Sequence, residues 1–137
     1  MLLFLLFGLT QAPANEARSG EQVYKQICAG CHQQEGQGLA GVYPPLAGSE
    51  WVNGSPEIPT KIILNGLMGE VTVKGQKYNN VMSPQGMMLS DQEVANVVNY
   101  IQSSWGNKSD EKATPELSKK IREEFSGKPM WKPEELK

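Results

Sequence analysis

The chain is nearly bare of the side chains that build metal clusters and disulfide frameworks: its 137 residues include two cysteines and one histidine. A structural zinc site takes four ligands, so these three would have to recruit a carboxylate. An excess of positive charge is also missing. Lys and Arg total 13 against 15 Asp and Glu, a formal net charge of -2, which argues against a nucleic-acid binder that must gather phosphates on a basic surface. The apolar run Met1–Leu9 is too short to cross a bilayer as a helix. No internal repeat is present. What remains is a chain 39% apolar and 20% charged, the mixture of a globular protein with room for one comfortable domain. Fourteen Gly and nine Pro place much of its backbone in turns and loops.

Beyond the apolar run, Ala12 and Ala14 in Thr10-Gln11-Ala12-Pro13-Ala14 form a small-x-small cleavage pattern. Residues 1–14 therefore read as a secretory signal cut after Ala14, although no Lys or Arg precedes the apolar run; if retained, the segment is a weak anchor. Export puts the mature protein outside the cytoplasm, where a Cys pair is oxidised or covalently used.

Ser19-Gly20-Glu21-Gln22 has the form of a capped helix start, predicting a helix to about Cys28 with Val23, Tyr24 and Ile27 on its buried stripe. Residues 33–53 are rich in Gly and Pro and read as a loop too long for mere connection. A short helix is expected from Pro59 to Asn65, stopped by Gly66. Val71 and Val73, the turn Lys74-Gly75, and Lys77-Tyr78 predict a small hairpin. The clearest helix opens with Ser90 and Glu93 as a capping box, places Val94, Val97, Val98 and Ile101 at helical spacing, and ends near Trp105. From Lys108 the composition changes: the last 30 residues hold eight Lys or Arg and seven Asp or Glu. Thr114-Pro115-Glu116 opens a helix there, with Leu117, Ile121 and Phe125 on one face. The expected division is thus 1–14, 15–107 and 108–137.

The histidine and both cysteines fall within Cys28-Ala29-Gly30-Cys31-His32. Random placement would bring them together roughly once in 10⁴ chains. A plain disulfide leaves His32 as coincidence, and a thioredoxin-like pair would call for a βαβ pattern that is missing. Two thiols three apart on a helical turn reach the two vinyl groups on one edge of a haem, and the next residue sets an imidazole under the iron. This is the c-type haem attachment pattern, with one covalent haem as the cofactor and His32 as proximal ligand.

No second histidine exists to face His32, so the sixth position belongs to a thioether, a weaker group or nothing. A soft sulfur favours ferrous iron and suits an electron carrier. Met68, Met82, Met87, Met88 and Met130 are the candidates. Met68 lies in an apolar patch and reads as core packing, Met130 sits in the charged tail, and of Met87 and Met88 one should pack and the other lie at the surface. Met82, in an extended loop stiffened by Pro84, is favoured by position, and the alternatives stay open on these grounds.

Residues 19–107 resemble the class I c-type cytochromes, closest to bacterial periplasmic cytochromes and to cytochrome domains of nitrite reductases and dehydrogenases. The likeness is carried by the attachment motif, by Gly41 to Ser49, by Tyr78 to Met82, by Leu89 to Glu93 and by Tyr100 to Asn107. It implies an all-α cytochrome c fold, three main helices around one covalent haem plus a small β-hairpin. It also implies that the axial methionine stands seven residues before Leu89, at Met82, though the usual Met-Pro is Met82-Ser83-Pro84 here and Met87 is the nearest rival. The resemblance further implies that Pro44 offers its carbonyl to the His32 ring N–H, a bond that fixes the tautomer and raises imidazole basicity. Gly20 would let the last helix cross closely against Val97 and Tyr100, and Trp51 is either a propionate donor or a core residue.

The function these readings imply is one-electron transfer in the periplasm, without enzymatic activity, between redox partner proteins the sequence does not name. Neither nucleic acid nor, once the signal is cut, stable membrane insertion is expected. Two alternatives are a subunit docked permanently on a periplasmic oxidoreductase, for which the tail helix is the suggestive feature, and a haem enzyme or gas sensor with an open sixth site. An amphipathic helix folded back on its own domain is the plainer reading of that tail.

Overall fold

A computed structural model describes residues 15–137; the expected signal, 1–14, lies outside them. The amino-terminal helix is built of three pieces: α1 (Gly20–Val23), a π-helical segment (Tyr24–Cys28) and α2 (Ala29–His32). Ser19 caps it, its side chain and that of Gln22 each accepting from the other residue's backbone N–H, which satisfies donors the helix leaves free. The helix therefore runs past Cys28, the expected end, to His32. The wide turn closes where the Ala29 N–H donates to the Tyr24 carbonyl, and it sets the direction in which the next turn points. Helix geometry stops at Gln33, whose φ is 67°.

Helix α3 (Glu57–Asn65) begins two residues ahead of the expected Pro59 and ends at Gly66. Strands β1 (Val71–Val73) and β2 (Gln76–Tyr78) pair antiparallel, Val71 opposite Tyr78, around Lys74 and Gly75, both at positive φ, as a tight hairpin turn demands. Helix α4 (Asp91–Ser103) carries the Ser90/Glu93 capping box and buries Val94, Val97, Val98 and Ile101. Helix α5 (Pro115–Glu124) has Thr114 as cap and Pro115 in its first turn, a position where the lost N–H costs nothing.

The architecture is mostly helical, three helices about a central cleft with one small hairpin, and the tail adds a fourth helix to it. That helix folds back: Ile121 joins the main core with Val23, Tyr24, Val94, Val97 and Val98, and Leu117 and Phe125 pack on it. Arg122 clasps the start of α4, donating to Asp91 at 2.8 Å and to the carbonyls of Gly86 and Leu89 at 2.6 and 2.9 Å. A second cluster gathers Trp51, Ile62, Val71, Val73, Trp131 and Leu136 under the hairpin. The tail's apolar face is thus spent within its own chain.

The amino-terminal helix crosses α4 at Gly20. A Cβ there would overlap the Asn96 carbonyl oxygen and lie 2.7 Å from the Tyr100 Cβ, so Asn96 and Tyr100, rather than Val97, set the contact. Below the crossing Tyr24, Tyr100 and Trp105 form an aromatic triad with centroids 5.1 to 5.8 Å apart. Among the described residues no helix is long and apolar enough to cross a membrane.

Candidate functional site

The end of the amino-terminal helix presents three side chains in three environments. Cys28 is half-buried, Cys31 is exposed, His32 is buried, and both thiols are free. Burial, with Cys31 nearby adding to it, pushes the Cys28 thiol up to about 11. His32 Nδ1 lies 2.8 Å from the Pro44 carbonyl oxygen. A carbonyl only accepts, so Nδ1 carries the proton and Nε2 is left with its lone pair for a metal. Burial holds the imidazole below its usual pKa, against a smaller opposing effect from Pro44, and so keeps it in the neutral form a metal needs.

Pro44 is delivered to His32 by a folded loop. The Leu46 and Ala47 N–H groups both donate to the Gly36 carbonyl, at 2.7 and 2.9 Å, and the Gly38 N–H donates to His32 at 2.9 Å. Gly38 has φ 64°, and a Cβ on it would come within 2.8 Å of the Pro44 oxygen; only glycine leaves that oxygen clear. Asn107 ties the loop to the end of α4. It is 7% exposed, accepts from the Gly48 N–H and Asn53 amide at 2.8 and 3.1 Å, and donates to Leu46 and Ile101 at 3.0 and 2.8 Å.

Beside this turn lies a cleft lined by Cys28, His32, Pro44, Leu67 and Met82 together with apolar side chains of α3, β1 and α4. An adjoining hollow shares those five residues and adds Cys31, Tyr78 and Val81. The structure therefore brings His32 and Met82 to one cleft from segments fifty residues apart in sequence. Met87 and Met88, 103% and 58% exposed, line neither hollow, so both lie at the surface where one was expected to pack. Met68 is 37% exposed, a surface residue where core packing was expected: Leu67 before it faces the cleft, and successive side chains of an extended bridge segment point to opposite sides. Met130 is half-buried beside Gly66. Trp51 is a core residue whose indole donates to the Thr72 carbonyl at 2.9 Å, so its N–H is taken within the chain.

Leu67 carries no sequence signal, yet it fixes Met82: the two residues exchange backbone hydrogen bonds of 3.0 and 2.9 Å. Such a bond is made by peptide groups, which carry no side-chain identity. Asn107 was part of a recognisable terminal pattern, but its four bonds were not legible there.

The donor set fits a c-type haem. Two thiols three residues apart lie at the edge of an apolar cleft, a neutral imidazole points its free nitrogen away from Pro44, and a thioether lines the same space. Among the described residues no group of three or more His, Cys, Asp or Glu side chains is placed to hold a metal ion, so the arrangement does not also describe a zinc site.

Comparison with known proteins agrees with this chemistry. The cytochrome c family profile matches residues 17–105. A cytochrome c-552 of Thermus thermophilus is 44% identical over 130 residues, covering 89% of this chain and 84% of that protein. The cytochrome c subunit of a gluconate 2-dehydrogenase from Pantoea cypripedii is 37% identical over 95 residues, covering 68% of this chain and 21% of the subunit. A cytochrome c4 of Thiocapsa roseopersicina is 30% identical over 105 residues, 77% of this chain and 47% of that protein.

Proposed function

Since the chain belongs to the cytochrome c family, we propose that it shuttles single electrons between periplasmic proteins on a haem held by Cys28, Cys31, His32 and Met82. The family establishes the coarser statement: an electron-transfer protein with a covalent c-type haem. When bound, that group supplies a one-electron couple at its iron. The assignment of residues rests on one observation above the rest, that His32 and Met82 line a single apolar cleft whose edge carries both thiols.

Each residue has a separate task. Cys28 and Cys31 tether the ring as thioethers. His32 gives Nε2 to the metal while the Pro44 carbonyl holds its other nitrogen protonated and its plane fixed. Met82 supplies a soft sulfur that favours the reduced state, and the apolar lining excludes water. The match to the cytochrome c family supports a carrier rather than a catalyst, with the protein supplying ligands and a dry surround to the group that holds the electron.

A freely diffusing carrier is the reading the tail supports. Its apolar face, the one feature in the sequence that pointed to a permanent partner, packs on α4 and on the second core cluster. Leu39, Val42 and Val81, 50%, 37% and 57% exposed, sit on two loops joined where Asn80 donates to the Val42 carbonyl at 2.9 Å. Small apolar edges of this kind suit brief encounters with redox partners.

The test is an absorption spectrum of the haem-loaded protein. In the ferric state the weak deep-red sulfur-to-iron band should vanish in Met82→Ala and survive in Met87→Ala, and ferrous Met82→Ala should bind carbon monoxide rapidly where the unaltered protein resists it. A band that persists in Met82→Ala, or disappears in Met87→Ala, overturns the ligand assignment.

A further inference from the structure

We infer that the carboxy-terminal extension acts as a positioning device for the Met82 thioether, through a backbone ladder whose middle rung is Leu67. This rests on Met82 being the axial ligand, as proposed above. Leu67 pairs antiparallel with Met82 on one side and parallel with Trp131 on the other. On the first side the Leu67 and Met82 N–H groups donate to each other's carbonyls at 3.0 and 2.9 Å; on the second, Met68 N–H donates to Trp131 at 2.9 Å and Trp131 N–H to Gly66 at 3.1 Å.

Besides the packing of the Met82 side chain on both core clusters and the Asn80 amide bonded to the Val42 carbonyl at 2.9 Å, the Met82 backbone has little else to hold it. Val81, Ser83 and Pro84 are exposed, and the nearest further main-chain anchor is the Gln85 N–H, which donates to Ile63 at 2.8 Å. Trp131, by contrast, is firmly seated. It is 4% exposed, its indole donates to the Lys61 carbonyl at 3.0 Å, and its ring meets Phe125 edge-on at 4.8 Å. Lys128 stands 4.4 Å from its centroid, an added cation–π contact. Gly66 leaves the ladder no slack: a Cβ there would lie 2.6 Å from the Met82 oxygen and 2.9 Å from the Met130 Cγ. The tail and the Met82 segment therefore close on the same three residues, 66–68, from two directions, and freeing one loosens the other.

Local opening of such a segment has its own free energy, separate from global unfolding. Imidazole reads it directly, because it reaches ferric iron only when the thioether leaves. In the haem-loaded full chain, Trp131→Ala should bind imidazole about tenfold more tightly than the unaltered protein, a change of about 1.4 kcal/mol, and Trp131→Phe about threefold. Ile121→Ala removes an equally buried side chain of the same tail, one outside the ladder. It should lower the thermal midpoint seen by circular dichroism by a similar amount yet shift imidazole affinity less than twofold. Unchanged imidazole affinity in Trp131→Ala, or an equal shift in Ile121→Ala, overturns the inference. Should Trp131→Ala fail to accumulate with haem, Trp131→Phe decides alone, and an unchanged affinity overturns it. Met82→Ala keeps the two readings apart: if it binds imidazole no better than the unaltered protein, the ligand assignment has failed rather than the ladder.

Discussion

Replacing Gly20 by alanine adds one carbon where two helices cross, and the sign of its effect separates two accounts of that glycine. If the position were open, alanine would help, since glycine in a helix costs up to about 1 kcal/mol relative to it. The structure says otherwise. The new Cβ would overlap the Asn96 carbonyl oxygen and stand 2.7 Å from the Tyr100 Cβ. Neither obstacle is the far end of a flexible side chain: one is α4 backbone and the other is attached to it. Relief requires the helices to part by most of an ångström, loosening Val23, Tyr24, Val97 and Val98, all fully buried. Overpacking of this kind costs about 1–3 kcal/mol, so a net loss of about 2 kcal/mol is expected. Guanidinium unfolding followed by circular dichroism measures it: the midpoint should fall with the slope unchanged. A midpoint equal to or above that of the unaltered protein would refute the close-crossing argument.

Two further perturbations follow from the hydrogen-bond pattern. The Arg18 guanidinium, helped by backbone N–H donors at Ser90 and Arg18, holds the Glu93 carboxyl down at about 2, with the Arg18 Nε bond at 2.7 Å. A carboxylate depressed by folding contributes stability above its ordinary pKa of about 4.3 and loses it as pH falls toward 2. Acid titration of thermal stability should therefore be steeper between pH 4.5 and 2 in the unaltered protein than in Glu93→Gln, and parallel curves would refute it. Asn107→Ala strands the Ile101 carbonyl, whose bond is buried, and the Leu46 carbonyl and Gly48 N–H, whose bonds are part-buried, at about 1 kcal/mol or more for a buried group and less where water can reach. A loss of about 2 kcal/mol by chemical denaturation is expected, and a loss under 1 kcal/mol would mean water replaces the amide.

What was legible in the sequence was local. Ser19 with Gln22 and Ser90 with Glu93 announce helix starts because a cap is made by residues three apart; the Lys74-Gly75 turn and Gly66 stop speak through backbone conformation. The attachment motif was legible for the same reason, its chemistry packed into five consecutive residues. Contacts between distant segments were legible only where the family resemblance supplied them, as for Pro44 with His32 and Gly20 with Tyr100. Nothing near Cys28 marks the wide turn that carries the helix on to His32, and nothing at Leu67 announces a residue bonded to Met82 whose neighbours Gly66 and Met68 are bonded to Trp131. Trp51 could have served a propionate or the core, and only the Thr72 carbonyl, 21 residues away and 2.9 Å from its indole, decides where its N–H goes. Met68 failed for a related reason, since an apolar neighbourhood in sequence does not say which of two adjacent side chains, Leu67 or Met68, faces the cleft.

The two core clusters explain why such distant contacts matter to an electron carrier. One cluster joins the amino-terminal helix, α3, α4 and α5; the other joins Ile62 of α3, the hairpin and the end of the tail. Met82 and Phe125 pack against both. A one-electron carrier works best when its ligands stay in place as the charge on the metal changes, because any rearrangement adds to the work of transfer. A ligand hung on an exposed loop alone would move with the loop. Here the thioether proposed as ligand sits at the seam of two packed cores, with its backbone tied through Leu67 to the tail. Motion of Met82 away from the cleft must then disturb both cores together, and close packing resists that collectively.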